Sequence, residues 1–308
     1  MDIAIMIEGQ NGLNWPRWQK LAALVEEAGF AGLYRSDHFT NASPPDLDSL
    51  ECWTSLVWLA SHTGRIDFGQ LVSPVSFRHP TMLARMATAV DDLSGGRLQL
   101  GLGAGWQERE HDNYSWDLLD VKGRMDRFEE ALEIVTGLLR SDEPLTFKGE
   151  YYRVRDAVLL PRPSRPDGPP ITIGGNGPKR TLPLVARYAD EWNAVFLSPD
   201  RFRERNARLD ELLSEEKRAP GDVHRSMMTG LFYGRSAAEV EERVKNRGRT
   251  LQESRDLGLV IGEADGVIEQ LKGLEAAGLE RVMLQWLDLD DLERLEEMAA
   301  VVLPSFHG

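Results

Sequence analysis

Short apolar runs alternate with amphipathic helical patterns along nearly the whole chain. IAIMI at 3–7 reads as a first strand, and Trp15 to Ala28 as a helix stopped by Gly29. GLYRS at 32–36 reads as a second strand, followed by a loop and a helix from about Leu50 to His62. IDFGQLVSP at 66–74 is the third, with a helix from Pro80, a residue suited to a first turn, to Leu93. RLQLGLG at 97–103 is the fourth, and a helix from Arg124 to Leu139 follows. There the rhythm breaks. PLTFKGEYYRVRDAVLLPRP at 144–163 alternates like a β-hairpin turning at Lys148 and Gly149, then meets a proline-rich connector. PITIGG at 170–175 resumes as a fifth strand, with a helix from Pro178 to Ala189, and EWNAVFL at 191–197 is the sixth. A charged helix over about 200–217 leads to SMMTGLFYG at 226–234, the seventh. Helices over about 236–256 and 263–277 precede the eighth strand, RVMLQWL at 281–287, and a last helix covers 291–302.

Eight strands each followed by a helix predict an α/β fold, a (β/α)8 TIM barrel, where a doubly wound sheet usually has fewer strands. No long flexible linker divides the chain, so residues 1–308 read as a single domain. Its insertions are a β-hairpin after the fourth helix and extra helices near the seventh strand. A hydrophobic share of 42% is ample for a large core. The net charge of −14 argues against nucleic acid and anionic membrane surfaces, but leaves room for an anionic cofactor held by a local field. No run of 18 apolar residues exists, and MDIAIMIEGQ carries an acid where a signal peptide wants bases; the expectation is a cytoplasmic protein without a membrane partner. The single cysteine, Cys52, excludes an internal disulfide and a cysteine-rich metal site. It sits in a helical pattern among Trp53, Leu56 and Val57, as a buried structural thiol would.

In such a barrel the active groups collect where strands end and the following loops begin. The unusual residues fall there. Asp37 and His38 follow strand two; Ser73, Arg78 and His79 follow strand three; Trp106 and Glu108 follow strand four; Trp192 and Asn193 lie within strand six. Asp37 fits a turn cap as well as chemistry, whereas a histidine exchanges protons near neutral pH. Arg78-His79-Pro80 fits the start of the third helix. Glu108, Glu110 and His111 resemble metal ligands, but no second histidine cluster accompanies them, and QEREH reads as a solvated loop, so no metal is expected.

Two glycine-rich stretches stand out. In LGLGAGW, Gly101, Gly103 and Gly105 alternate along a strand end, which suggests a ligand against the main chain. The spacing argues against a dinucleotide fingerprint: Trp106 holds the place of the third glycine, and QEREHDNYSWD reads as too polar and irregular to open a helix at once. In IGGNGPKR, Gly174, Gly175 and Gly177 precede Pro178 at an expected helix start, with Lys179 and Arg180 beside it. Free amides, the helix dipole and two cations make an anion site, most naturally for phosphate.

AGFAGLYRSDHF, LVSPVSFRHP, VDDLSGGRLQLGLGAGW and IGGNGPKRTLPLVARYADEWN together resemble the luciferase-like monooxygenase superfamily, and within it the oxidoreductases that depend on the deazaflavin coenzyme F420. The match runs from strand one to strand six and weakens over about 200–260. It implies a barrel with a cofactor at the C-terminal rim and a homodimer. On this resemblance Asp37 and His38 match positions beside the deazaflavin ring. Gln70-Leu71-Val72 matches a bulge with a non-proline cis peptide that backs the ring, and Ser73 a polar position close by. Gly103, Ala104 and Gly105 match a loop contacting the cofactor, and Gly174, Gly175, Asn176 and Gly177 the loop holding its phosphate. The sugar-phosphate dehydrogenases of this branch carry Glu directly after the strand-four glycines, where this chain has Trp106.

The resulting expectation is an F420-dependent oxidoreductase passing a hydride between the deazaflavin C5 and a small organic substrate near Trp106 and Trp192. His38 is the expected proton donor or acceptor, with Asp37 orienting a neighbouring group. The alternatives are an FMN-dependent two-component monooxygenase and a non-catalytic flavin-binding protein on the same fold.

Overall fold

The computed structural model describes residues 1–306. Its strands are β1 (Asp2–Ile7), β2 (Gly32–Arg35), β3 (Asp67–Gln70), β4 (Ser73–Pro74), β5 (Leu98–Gly103), β6 (Leu145–Lys148), β7 (Arg153–Ala157), β8 (Ile171–Gly174), β9 (Glu191–Val195), β10 (His224–Tyr233), β11 (Val260–Gly262) and β12 (Arg281–Gln285). The strands β1, β2, β3, β5, β8, β9, β10 and β12 pair in parallel in that order, and β12 returns to β1. This closed ring is the expected (β/α)8 barrel. The short β4 lies beside β5, β11 pairs in parallel with the end of β10, and β6 and β7 form the inserted antiparallel hairpin. Glu130, from the helix Val121–Arg140, closes the hairpin turn by accepting from the amides of Glu150, Tyr151 and Tyr152.

Strand periodicity sorts the side chains. Ile3, Ile5, Leu33, Phe68, Leu100 and Ile173 point outward into the main core beneath the helices. Ala4, Met6, Tyr34 and Met283 form a separate small core inside the barrel. At the strand starts the interior is polar. Arg281 donates to the Tyr34 hydroxyl at 2.9 Å, to Asp67 at 3.1 Å, to Glu191 at 3.3 Å and to Asp2 at 3.4 Å. A buried guanidinium is tolerable only with such partners.

Three elements differ from the sequence reading. The third apolar run is two short strands with Leu71 and Val72 bulged between them. The helix expected from Pro178 begins at Thr181. Starting at Pro178 would place Pro183 inside the helix, where its ring meets the carbonyl of Lys179; starting at Thr181 puts Pro183 in the first turn, where no amide is needed. The segment after Gly105 is not a solvated loop: Glu108–Tyr114 is a helix that buries Glu110 and His111. Its first turn carries Glu108 and Glu110, favourable at the positive helix end, and Ser115 closes it in the left-handed conformation. Among the described residues no helix is long and apolar enough to cross a membrane.

Candidate active site

The C-terminal strand ends bring most of the expected residues to one rim. Leu71 and Val72, His38, Ala104, Gly105, the loop 174–177 and Met228 are all half-buried there. Leu71 and Met228 rest on the inner core of Ala4, Met6, Tyr34 and Met283 and give the mouth an apolar floor. The Leu71–Val72 peptide is cis, as the resemblance implied.

The glycines of β5 have a different task from the one expected. A Cβ at Gly103 would fall 2.4 Å from Val72 Cγ2, and one at Gly101 only 1.8 Å from the Gln70 carbonyl oxygen. The bare backbone of β5 therefore receives the bulge, and the bulge presents the surface. Only Ala104 and Gly105, past the strand, stay half-exposed.

His38 extends from the loop after β2. Its Nδ1 lies 3.0 Å from Glu110 Oε1, with the side chains 13% and 0% exposed. Glu110 Oε2 accepts from the amides of Phe39 and Thr40, so the same carboxylate fixes the loop. Burial would lower the His38 pKa, but the hydrogen bond and charge of Glu110, helped by the charges of Glu8 and Asp37, hold it above the ordinary imidazole value. Burial would raise Glu110, yet His38 and the two amides keep it below the usual carboxylate range. His111, next in sequence, joins the Gln107 carbonyl through Nδ1 at 2.7 Å and Ser76 Oγ through Nε2 at 2.7 Å. Of the three residues that resembled metal ligands, Glu110 and His111 are spent on protein partners and Glu108 is exposed. Glu110 escaped sequence reasoning because the helix that aims it was read as a loop.

Asp37 faces away from any open role. It is 2% exposed and its Oδ2 binds Arg78 at 2.5 Å; Ser73 Oγ donates to the same oxygen at 2.6 Å and accepts from Trp53 Nε1 at 3.1 Å. Arg78 also reaches Glu51, the residue that caps helix Cys52–His62. Arg78 thus does more than open the third helix, and the side chains of Asp37 and Ser73 brace the loop carrying His38.

In the loop after β8, Gly175 has φ +121°, a conformation open to glycine. The Asn176 side chain is not free: Nδ2 donates to the Val195 carbonyl at 2.7 Å and Oδ1 accepts from the Val195 amide at 2.9 Å. This clasp ties the loop to the end of β9. The amides of Asn176, Gly177 and Thr181 find no acceptor among the described residues. Arg180 is neutralised by Asp126 at 2.5 Å, while Lys179 has no acid partner among the described residues.

The two tryptophans part company. Trp106 is 60% exposed, and its ring stands edge-on to His38 with centroids 5.6 Å apart. Trp192 is fully buried, stacked on Phe202 of the helix Pro199–Glu215, with Nε1 donating to the Gly175 carbonyl at 2.9 Å. Strand alternation points Trp192 outward and its neighbour Asn193 inward, so the expected substrate contact by Trp192 is corrected to a core role.

A model of the luciferase-like monooxygenase family matches residues 1–256. The chain is similar to the F420-dependent hydroxymycolic acid dehydrogenase of Mycobacterium tuberculosis (strain ATCC 25618 / H37Rv), with 33% identity over 175 residues, 56% of this chain and 47% of that protein. It is also similar to the 4-hydroxyprotoasukamycin monooxygenase of Streptomyces nodosus subsp. asukaensis, with 30% identity over 187 residues, 61% of this chain and 48% of that protein. The matched parts thus span about half the length of these curated relatives. Among solved structures, an F420-dependent secondary alcohol dehydrogenase in complex with an F420-acetone adduct superposes with a TM-score of 0.86 at 18% identity, covering 100% of this chain and 99% of that one. At that identity the likeness speaks for the fold.

Proposed function

The chain belongs to the luciferase-like monooxygenase family, and from that membership we propose that it is an oxidoreductase that takes coenzyme F420 at the barrel mouth and passes a hydride between the deazaflavin C5 and a small organic substrate. The residues at the rim suit such a group. Leu71, Val72 and Met228 offer an apolar bed for a planar ring, and the unengaged amides of Asn176, Gly177 and Thr181, with Lys179 nearby, suit a phosphate. Bound there, F420 supplies the two-electron hydride chemistry. The protein supplies position and proton traffic. His38 gives or takes the substrate proton, Asp37 and Ser73 hold its loop, and Trp106 forms a substrate wall. A cytoplasmic homodimer completes this reading.

The observation that carries it is the placing of His38, anchored through Nδ1, on the same rim as the apolar bulge and the amide-rich loop. The names of the mycobacterial relative and of the superposed dehydrogenase support F420. The Streptomyces relative's name favours a second reading, a monooxygenase, which on this fold would take reduced FMN in place of F420. Tryptophan quenching of the purified protein by F420 and by FMN separates the two. Tight binding of F420 and weak binding of FMN is expected; the reverse order replaces this reading with the second. His38→Asn is expected to lower turnover about a hundredfold or more while leaving F420 affinity nearly unchanged. F420 binding with no hydride exchange across a substrate screen would point to a carrier protein instead.

A further inference from the structure

We propose that Glu110 is the positioning residue that fixes the tautomer of His38, holding the proton on Nδ1 and leaving Nε2 as the nitrogen that exchanges a proton at the mouth. The inference rests on the reading above for the importance of His38, but its physical basis does not involve the cofactor. An ionised carboxylate only accepts hydrogen bonds, so its short contact to Nδ1 requires a proton there. Glu110 is fully buried, and its other oxygen is taken by the Phe39 and Thr40 amides, so losing the imidazole partner would strand a charge away from water. Gln107 Nε2 approaches the same Nδ1 at 3.4 Å, a longer contact that would need the opposite tautomer, and it already donates to the Thr40 carbonyl at 3.1 Å. The charge-assisted bond at 3.0 Å prevails.

The other side of the ring completes the case. Nε2 makes no hydrogen bond to any described residue, although the side chain is only 13% exposed. An imidazole with one nitrogen clamped inside and the other without a protein partner at the mouth is arranged to meet a ligand. The charged groups facing it are Glu110 from the helix Glu108–Tyr114, Glu8 beyond β1, and Asp37 of its own loop, the last balanced by Arg78. Their common sign keeps Nε2 protonated to higher pH than a free imidazole.

Long-range proton–nitrogen NMR of the full-length protein without added cofactor tests this directly, with His38→Asn assigning the signals. Above its midpoint His38 is expected in the Nδ1–H form, with a midpoint above the ordinary imidazole value. In Glu110→Gln the midpoint should fall by about one pH unit or more, a tenfold loss of proton affinity. A neutral Nε2–H form in the unmodified protein overturns the proposal even if the variant does not fold, and so does an unmoved midpoint in a folded variant. F420 titration of the same samples keeps the two readings apart. Glu110-dependent titration without F420 binding removes only the cofactor reading; F420 binding with Glu110-independent titration removes only this one.

Discussion

Val72 fills the room that a side chain at Gly103 would need, its Cγ2 lying 2.4 Å from the Cβ position there. Gly103→Ala must therefore push the bulge off β5. Overpacking of this kind costs about 1–3 kcal/mol, and here it should also weaken F420 binding, because the apolar floor moves. Gly266→Ala is the contrasting case, since nothing lies within 4 Å of its Cβ position in the helix Ala264–Glu275. It should stabilise by up to about 1 kcal/mol through helix propensity alone. Urea unfolding of both variants, with F420 titration of the first, checks the pair; an unshifted midpoint for Gly103→Ala would show that the bulge yields without cost.

Arg78 and Asp37 are 14% and 2% exposed, so removing either partner strands a charge. Arg78→Met should cost about 3–5 kcal/mol, and adding Asp37→Asn should recover part of it. A double variant as unstable as the sum of the single ones would mean that the pair does not couple. The recovered protein should still bind F420, since Asp37 braces the loop and does not itself face the mouth.

The two tryptophans should separate cleanly. Trp192→Ala removes a stacked core side chain and should lower stability by about 3–5 kcal/mol. Trp106→Ala should change stability by less than about 0.5 kcal/mol, as exposed positions do, yet alter KM for the substrate. Thermal melts and steady-state kinetics decide; an unchanged KM would remove Trp106 from the substrate wall.

The order of strands and helices was legible because each is a long periodic pattern with clear stops, as in Trp15–Ala28 before Gly29. So was the rim, since barrel topology puts every strand end on one side. What escaped depends on contacts between distant segments. Glu110 looks like any surface acid until the helix Glu108–Tyr114 carries it to His38, 72 positions away in sequence. Gly103 reads as open backbone until Val72 is placed against it. Trp192 sits one residue from an inward-facing neighbour, so its face depends on a register that an apolar run buried on both sides does not reveal. The helix start at Thr181 was available from Pro183 alone, and the pull of Pro178 as a first-turn residue hid it.

Arg281 and its ring of acids stopper the barrel at the foot of the strands. The vessel thus has one door. Whatever the mouth takes up must come and go by the same threshold, because the cylinder behind it is filled and closed.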